Sequence, residues 1–505
     1  MEALLEIKKQ DDTYEKELAF ISKNAGIGGG NILIGNVVSY LSTILATRVV
    51  GAELFGIFFL ANTILLTAVL LSSSGLNQAV LRYVSLYQGQ KDYARIKGTT
   101  LFGVKVTLLI SILVTILILF GSPMLANKIF DKPDLEVALQ VLVLALPFAA
   151  VTEILLSGLQ GLRFIGQSVF VKNTFLPILR LILLVIFFAF GFRLSGLLFA
   201  TFLSFVIGWA LAYFYLKRKP AVLEKGTLAI SERSKIIGFS TPLYFDGILN
   251  YIIVSIPVFM LGYFGSSSEV GIFGIGVRLA LIASLPLASI NLIFAPTISN
   301  LYGRGEKEAL VRLFKTVTKW IFTISFAVSL LLILFAKPVL SIFGPNFVVG
   351  TAALYFLVLG ELVNAAVGSS GYMLMMTGRP KINLMNSTIL FVLTLVLGMI
   401  LIPRFGLLGA ALTSAISIAT INTLRLIEVY YFEGIHPYNL KFAKPLVAGI
   451  LSFLSVFVFR IFMPKSDVMS LVLSLIIFGL MFFSALWVLK LEDEDKYVLE
   501  LLSSK

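Results

Sequence analysis

The 505-residue chain has no cysteine and a single histidine, and only 13% of its residues are charged. Without cysteine there is no disulfide, no thiolate nucleophile and no cysteine-based metal site. The one histidine, His436, sits in the loop stretch "FEGIHPYNL" and reads as a solvated surface residue. Chemistry built on a buried histidine base or a histidine-rich metal site is a poor candidate, and no metal or cofactor is expected. A soluble chain of this size carries about twice this fraction of charge.

What fills the space is apolar. The chain is 58% hydrophobic, with a mean hydropathy of +0.98. Runs such as "VTLLISILVTILILF" (106–120) and "LVLSLIIFGLMFFSALWVL" (471–489) approach the ~20 apolar residues that cross a bilayer as a helix. The first 27 residues are polar and of mixed charge, unlike a cleavable signal peptide. Within them Tyr14, Leu18 and Ile21 share one helical face, which fits either a helix on the membrane surface or a solvated tail.

The pattern predicts an all-α polytopic membrane protein with fourteen transmembrane helices. They fall at about 29–49, 54–74, 99–120, 137–158, 168–191, 194–216, 236–262, 270–294, 317–336, 349–373, 383–402, 406–427, 442–462 and 468–489. With both termini inside, the cytoplasmic side takes 30 of the 40 Lys and Arg residues and the external side 8, leaving Arg180 and Arg278 within spans. That asymmetry follows the positive-inside rule and places the chain in the cytoplasmic membrane. The net charge of +13 is then met by an anionic leaflet, with no call for nucleic acid.

The sequence also repeats. Gly56-Ile57-Phe58 recurs as Gly271-Ile272-Phe273, and Leu86-Tyr87 as Leu301-Tyr302, at a spacing of 215. Ser157-Gly158 matches Ser370-Gly371, Asn173 matches Asn386, and Gly196 and Ser204 match Gly409 and Ser417, at a spacing of 213. Spans 1–6 and 7–12 are two copies of one unit. Six is even, so both copies run in the same direction, related by an axis along the membrane normal. The expected organisation is a cytoplasmic segment 1–28, an N-lobe 29–216, a cytoplasmic linker 217–235, a C-lobe 236–427, an appended helix pair within 428–489 and a cytoplasmic tail 490–505. Paired parallel bundles are typical of alternating-access transporters, an inference from fold analogy.

The stretch "TRVVGAELFGIFFLANTILLTAVLLSSSGLNQAVLRYVSLYQGQKD" (47–92) resembles the start of the polysaccharide-transport branch of the MOP exporters. The resemblance lies in Gly51, Glu53, Gly56 and Phe58 at the entry to span 2, then Gly75-Leu76, Arg82-Tyr83 and the loop "QGQKD". It implies a flippase, not an enzyme, that moves a polyprenyl-pyrophosphate-linked oligosaccharide from the cytoplasmic to the external leaflet. It also implies that spans 1, 2, 7 and 8 line the cavity, and that the extra pair forms a groove for the lipid tail. Expected partners are that lipid-linked oligosaccharide, membrane lipids, a coupling H+ or Na+, and other polysaccharide-assembly proteins.

A pyrophosphate head group needs cationic donors, and the planar guanidinium fork suits phosphate oxygens. Arg278, in "GIFGIGVRLALIA", is the leading head-group residue, because charge within a span is costly. Arg82 and Arg48 are further candidates, although arginines near span ends also snorkel to the interface. Asp246, Glu361, Glu153 and Arg180 are candidates for ion coupling or charge pairing: Asp246 with a coupling ion or with Arg278, Arg180 with Glu153. Tyr40, Asn62, Tyr244 and Asn250 are candidate sugar contacts. Two rivals stay open, a cation-coupled multidrug exporter of the same superfamily and a membrane enzyme of polysaccharide polymerisation. The second lacks a long external loop, since no external connection exceeds about 17 residues.

Overall fold

The computed structural model describes residues 2–219, 229–462 and 468–489, with the side chains at 2–29, 246, 292, 293, 296, 380 and 468 outside that description. The surface-helix face of Tyr14, Leu18 and Ile21, most of the 217–235 linker and the 490–505 tail therefore lie outside the described residues.

Every regular element among the described residues is helical. In chain order they are α1 Glu2–Ser73, α2 Leu76–Gly89, α3 Tyr93–Met124, α4 Asp134–Val143, α5 Leu146–Gly161, α6 Ile165–Ala189, α7 Leu194–Lys217 and α8 Arg233–Phe264. There follow α9 Ser267–Gly303, α10 Lys307–Leu334, α11 Ala336–Phe343, α12 Thr351–Val367, α13 Ser370–Met376, α14 Pro380–Glu433, α15 Ala443–Phe462 and α16 Val468–Val488.

Eleven of the described helices are long and apolar enough to cross a membrane, or twelve if α4 and α5, bent by 41°, form one span. Two of these are of double length: 44 residues over Gly30–Ser73 in α1 and 53 over Lys381–Glu433 in α14. One crossing takes ~20 residues. Each long helix is broken by a glycine, Gly51 at φ 81° and Gly406 at φ 52°, in backbone that residues with a Cβ rarely adopt. Dividing both at their glycines turns twelve segments into fourteen, on the stretches read from the sequence.

The chain forms two compact units, Met1–Tyr251 and Ile252–Lys505. The boundary falls inside α8 rather than in the 217–235 linker, for a local reason. Gly75, at φ 68°, lets the α1–α2 turn press against the backbone of Ser240 and Tyr244 in the first half of α8. Phe239 of the same stretch meets Tyr83 of α2 edge-on at 5.9 Å. The core of this unit joins Val84 of α2, Ile96 of α3, Ile154 and Leu159 of α5 and Leu216 of α7. At the other end Thr174 donates to Asn31 at 2.7 Å, and Gly35 of α1 abuts the carbonyl of Asn173.

In the second unit α9 opens on a capping box: Ser266 accepts from Glu269 N, and the Glu269 carboxylate accepts from Ser266 N. The other Glu269 oxygen accepts from Leu407 N at 3.0 Å, just past the Gly406 break. The repeated Gly-Ile-Phe of this copy thus follows a carboxylate that satisfies backbone donors at two helix starts. The appended helices α15 and α16 pack through Ala448, Val456, Phe478 and Phe482 onto Phe335. Fully buried Ser452 and Ser474 sit in these two helices, as small residues do in membrane helix contacts.

Candidate functional site

In the first unit the structure brings Arg82 to α8: its guanidinium lies 4.2 Å from the Phe239 ring centroid and 5.8 Å from that of Tyr83. Arg82 and Arg48 are exposed, Tyr40, Asn62 and Tyr244 are half-buried, and Asn250 is exposed. Glu153, expected beside Arg180, has a lysine at its carboxylate. Both Glu153 oxygens lie 2.8 Å from Lys172 Nζ, while the Arg180 guanidinium lies 5.6 Å from the Phe205 ring centroid. This lysine lies about two turns into α6. Asp246 lies on α8 with its side chain outside the described residues, so its pairing with Arg278 lies outside them too.

Beside α2, Glu232 accepts from the Tyr87 hydroxyl at 2.7 Å and pairs with Lys235 at 3.0 Å and Arg95 at 3.5 Å. The Tyr87 hydrogen bond, then the Lys235 hydrogen bond, holds the Glu232 carboxyl below its ordinary range. Burial, reinforced by Glu232, pushes the Tyr87 phenol up to about 12, so it stays a donor at neutral pH.

In the second unit Arg278 is half-buried on α9, and Glu361, 8% exposed, accepts from Asn364 Nδ2 at 3.1 Å. Asn364 is also part of the wall of a polar cavity of about 320 Å³. The wall gathers Asn291 of α9, Asn383 and Asn422 of α14, and Ser369 and Tyr372 around the α12–α13 break. Arg425 of α14 completes it. Gly368, at φ 66°, makes the break; a Cβ there would collide with Thr318. Gly371 leaves room for the Arg425 stem, which would be 3.6 Å from a Cβ at that position.

The hydrogen bonds around this cavity are partly closed. Ser369 donates to Asn291, Asn422 donates to the Ile418 carbonyl at 3.0 Å, and Arg425 Nη1 reaches Asn422 Oδ1 at 3.5 Å. Behind it, buried Asn386 donates to Glu428 at 2.6 Å. Arg425 Nε is enclosed with no hydrogen-bond partner among the described residues.

A second cavity, of about 870 Å³, is apolar. Leu331 and Leu334 of α10, Ile342 of α11, and Leu471 and Leu475 of α16 line it, with Lys337 and Arg460 as its cations. It exists because α10 ends at Phe335 and the chain restarts as α11. Arg460 of α15 spans the break, donating to the Leu334 carbonyl at 3.0 Å. Its guanidinium lies 5.2 Å from the Phe335 ring centroid.

Arg425, Asn291, Asn383, Asn422, Lys337 and Arg460 were not singled out by sequence. The signal that could have found Arg425 is Asn422-x-x-Arg425-x-x-Glu428, three polar groups on one helical face among Leu and Ile.

The family model described as "Polysaccharide biosynthesis protein" matches residues 21–302, and the MatE model matches residues 242–400. The capsular polysaccharide biosynthesis protein CapF of Staphylococcus aureus is 29% identical over 277 residues, 54% of this chain and 67% of that one. An uncharacterized membrane protein of Methanocaldococcus jannaschii is 22% identical over 483 residues, 88% and 90% of the two chains. The solved structure of the lipid II flippase MurJ in its inward closed conformation has a TM-score of 0.73 at 12% identity, covering 91% of this chain and 97% of that one. An inward-facing multidrug resistance MATE family transporter of the MOP superfamily has a TM-score of 0.69 at 17% identity, covering 81% and 98%. These two structural likenesses speak for the fold. The match to the first family model runs over more than half of the sequence, and the chain belongs to the polysaccharide biosynthesis protein family.

Proposed function

We propose that the protein is a flippase that carries a polyprenyl-(pyro)phosphate-linked oligosaccharide across the cytoplasmic membrane by alternating access. Its fourteen spans form two parallel lobes and an appended pair, with both termini in the cytoplasm. The observation that carries this reading is the 870 Å³ apolar cavity between α10, α11 and α16, with Lys337 and Arg460 in its wall. An isoprenoid tail needs a long apolar surface, and its phosphate needs a cation at the end of that surface. In the fourteen-span reading both cations lie at the external ends of their spans, where the head group arrives after flipping.

Arg278 is assigned to the pyrophosphate during transit, with Arg82 and Arg48 near the ends of the path and Asp246 or Glu361 as coupling carboxylates. Two negative charges moving outward across an inside-negative potential of about 100 mV gain roughly 4.6 kcal/mol, which favours export. The MatE match over residues 242–400 favours the second reading, a cation-coupled drug exporter. Cationic drugs call for carboxylates in the wall, whereas Arg425, Lys337 and Arg460 are the charged groups of the two cavities described above.

Mass spectrometry of lipids that co-purify with the protein tests the reading directly. A polyprenyl-linked glycan is expected, and Leu475→Trp, which narrows the apolar cavity, reduces its yield. Arg278→Ala abolishes transport into proteoliposomes at normal expression, and Arg278→Lys, which keeps charge but loses the fork, is intermediate. Wild-type protein that exports a cationic drug and moves no lipid-linked glycan sinks the proposal.

A further inference from the structure

The polar cavity around Arg425 is built from residues other than those assigned above to the lipid and its head group, and the matching sequence positions of the first half are apolar. At the repeat spacing of 215, Asn291 corresponds to Leu76; at 213, Asn364, Ser369 and Arg425 correspond to Val151, Leu156 and Ala212. All four of those first-copy residues are buried in one apolar cluster, with Trp209, the counterpart of Asn422, packed against it. The same helical frame is therefore closed by hydrocarbon in one unit and left as a cavity of about 320 Å³, with a cation in its wall, in the other.

The fixed charge decides which ligand class fits. No carboxylate is among the described residues lining this cavity and Arg425 places a positive charge in its wall, so a metal cation, whose charge is best offset by anionic oxygens, is disfavoured here. The two acids nearby accept from amides, Glu361 from Asn364 and Glu428 from Asn386, and Glu428 also interacts electrostatically with Arg425. Arg425 lines the cavity, and its Nε is enclosed without a hydrogen-bond partner among the described residues. A guanidinium matches a carboxylate or phosphoryl group in a fork. Asparagine amides both donate and accept, as sugar hydroxyls do, and Tyr372 adds a ring face. The volume is at the small end of ligand pockets, which run ~300–1,000 Å³, and suits a sugar unit rather than an isoprenoid chain.

We propose that this cavity is a subsite for an oxyanion-bearing sugar of the transported glycan. Arg425 holds the carboxylate of a uronic acid or the phosphoryl group of a sugar phosphate, and Asn291, Asn364, Asn383 and Asn422 hold the hydroxyls. The subsite rests on the flippase reading and adds the glycan class that the protein selects.

The test uses full-length protein in nanodiscs, its thermal unfolding followed by tryptophan fluorescence with glucuronate, glucose 1-phosphate or glucose at matched ionic strength. An acidic sugar well above its dissociation constant raises the midpoint by about 2 °C, and glucose does not. A shift with glucuronate alone assigns a carboxylate, and one with glucose 1-phosphate alone assigns a phosphoryl group. Arg425→Gln removes the shift. Arg425→Lys, which keeps the charge if the glutamine variant fails to fold, weakens binding by about tenfold. Equal shifts with glucose, no shift with any of the three, or an undiminished shift in both variants overturns the subsite and leaves the transport reading standing. A wild-type protein that moves no lipid-linked oligosaccharide in proteoliposomes overturns the transport reading whatever the free sugars do.

Discussion

Positions related by the spacings of 213 and 215 carry opposite chemistry in the two halves of the chain. In the first copy Leu76, Val151, Leu156 and Ala212 meet in one cluster, and Trp209 stands edge-on to Phe148 at 5.5 Å. In the second copy the corresponding positions carry Asn291, Asn364, Ser369, Arg425 and Asn422, and Phe148 is matched by the buried Glu361. Apolar residues are the cheaper solution, because an enclosed charge costs several kcal/mol unless it is paired and hydrogen-bonded. The first copy shows that the frame closes without any polar group. On the subsite proposed above, what the second half retains at that cost is a binding surface.

The largest way to break the comparison is to exchange the chemistry. Ala212→Arg puts a cation into a fully buried apolar cluster with no carboxylate among its members, and should cost at least about 3 kcal/mol or prevent folding. Arg425→Leu puts hydrocarbon into the polar cavity, and should leave stability unchanged or higher while abolishing recognition of an acidic sugar. Thermal unfolding of the two variants in one nanodisc preparation measures both. If Arg425→Leu is the more destabilising, Arg425 is a scaffold residue and the contrast between the copies has been misread.

The next effect separates a buried polar pair from its counterpart. Asn386 is fully buried and donates to Glu428, whose register mate in the first copy is Tyr215. Asn173, the mate of Asn386, is half-buried and meets Gly35 through its backbone carbonyl. Asn386→Ala leaves a buried carboxylate without its donor and should cost about 1–3 kcal/mol. Asn173→Ala should change stability little, because its backbone contact survives. Adding Glu428→Leu to Asn386→Ala should restore part of the loss; no recovery would mean that Asn386 acts through packing alone.

These residues also mark what the sequence made legible. Helix class, span positions and the repeat followed from apolar runs and from register, and register was enough to align Asn173 with Asn386. It could not tell that one of them is buried against an acid, since that depends on which helix faces it. Arg425 was hidden for a related reason. Near the end of an apolar run, an arginine that snorkels to the interface and one that turns inward have the same local sequence. The α10–α11 break that shapes the apolar cavity lies in "LLILFAKPVLSIF", where no glycine announces it and the proline at 338 only starts the following turn. Lys172 at the Glu153 carboxylate was equally hidden, because three-dimensional reach, not scarcity within a span, brings it there.

The smallest expected effect tests the Leu-Tyr motif that occurs in both copies. Tyr87 is 5% exposed and donates to Glu232 at 2.7 Å, while its mate Tyr302 is 44% exposed. Around Tyr87 the end of the inter-repeat segment is clasped: Ile230 N donates to the Ala94 carbonyl at 3.1 Å, and Glu232 holds Lys235 and Arg95. Glu232 is held below its ordinary pKa, mainly by the Tyr87 hydrogen bond. Its contribution is therefore full above the ordinary carboxylate range, near pH 4.3 on average, and is lost as pH falls through the depressed folded value. Tyr87→Phe should lower the unfolding midpoint at pH 7, and the gap to wild type should close on acidification. Glu232→Gln should reproduce that convergence, whereas Tyr302→Phe should follow wild type at every pH. A Tyr87→Phe deficit that persists unchanged to the lowest pH at which the protein stays folded would assign the loss to ring packing. The motif would then do the same work in both copies, and the clasp would be incidental to it.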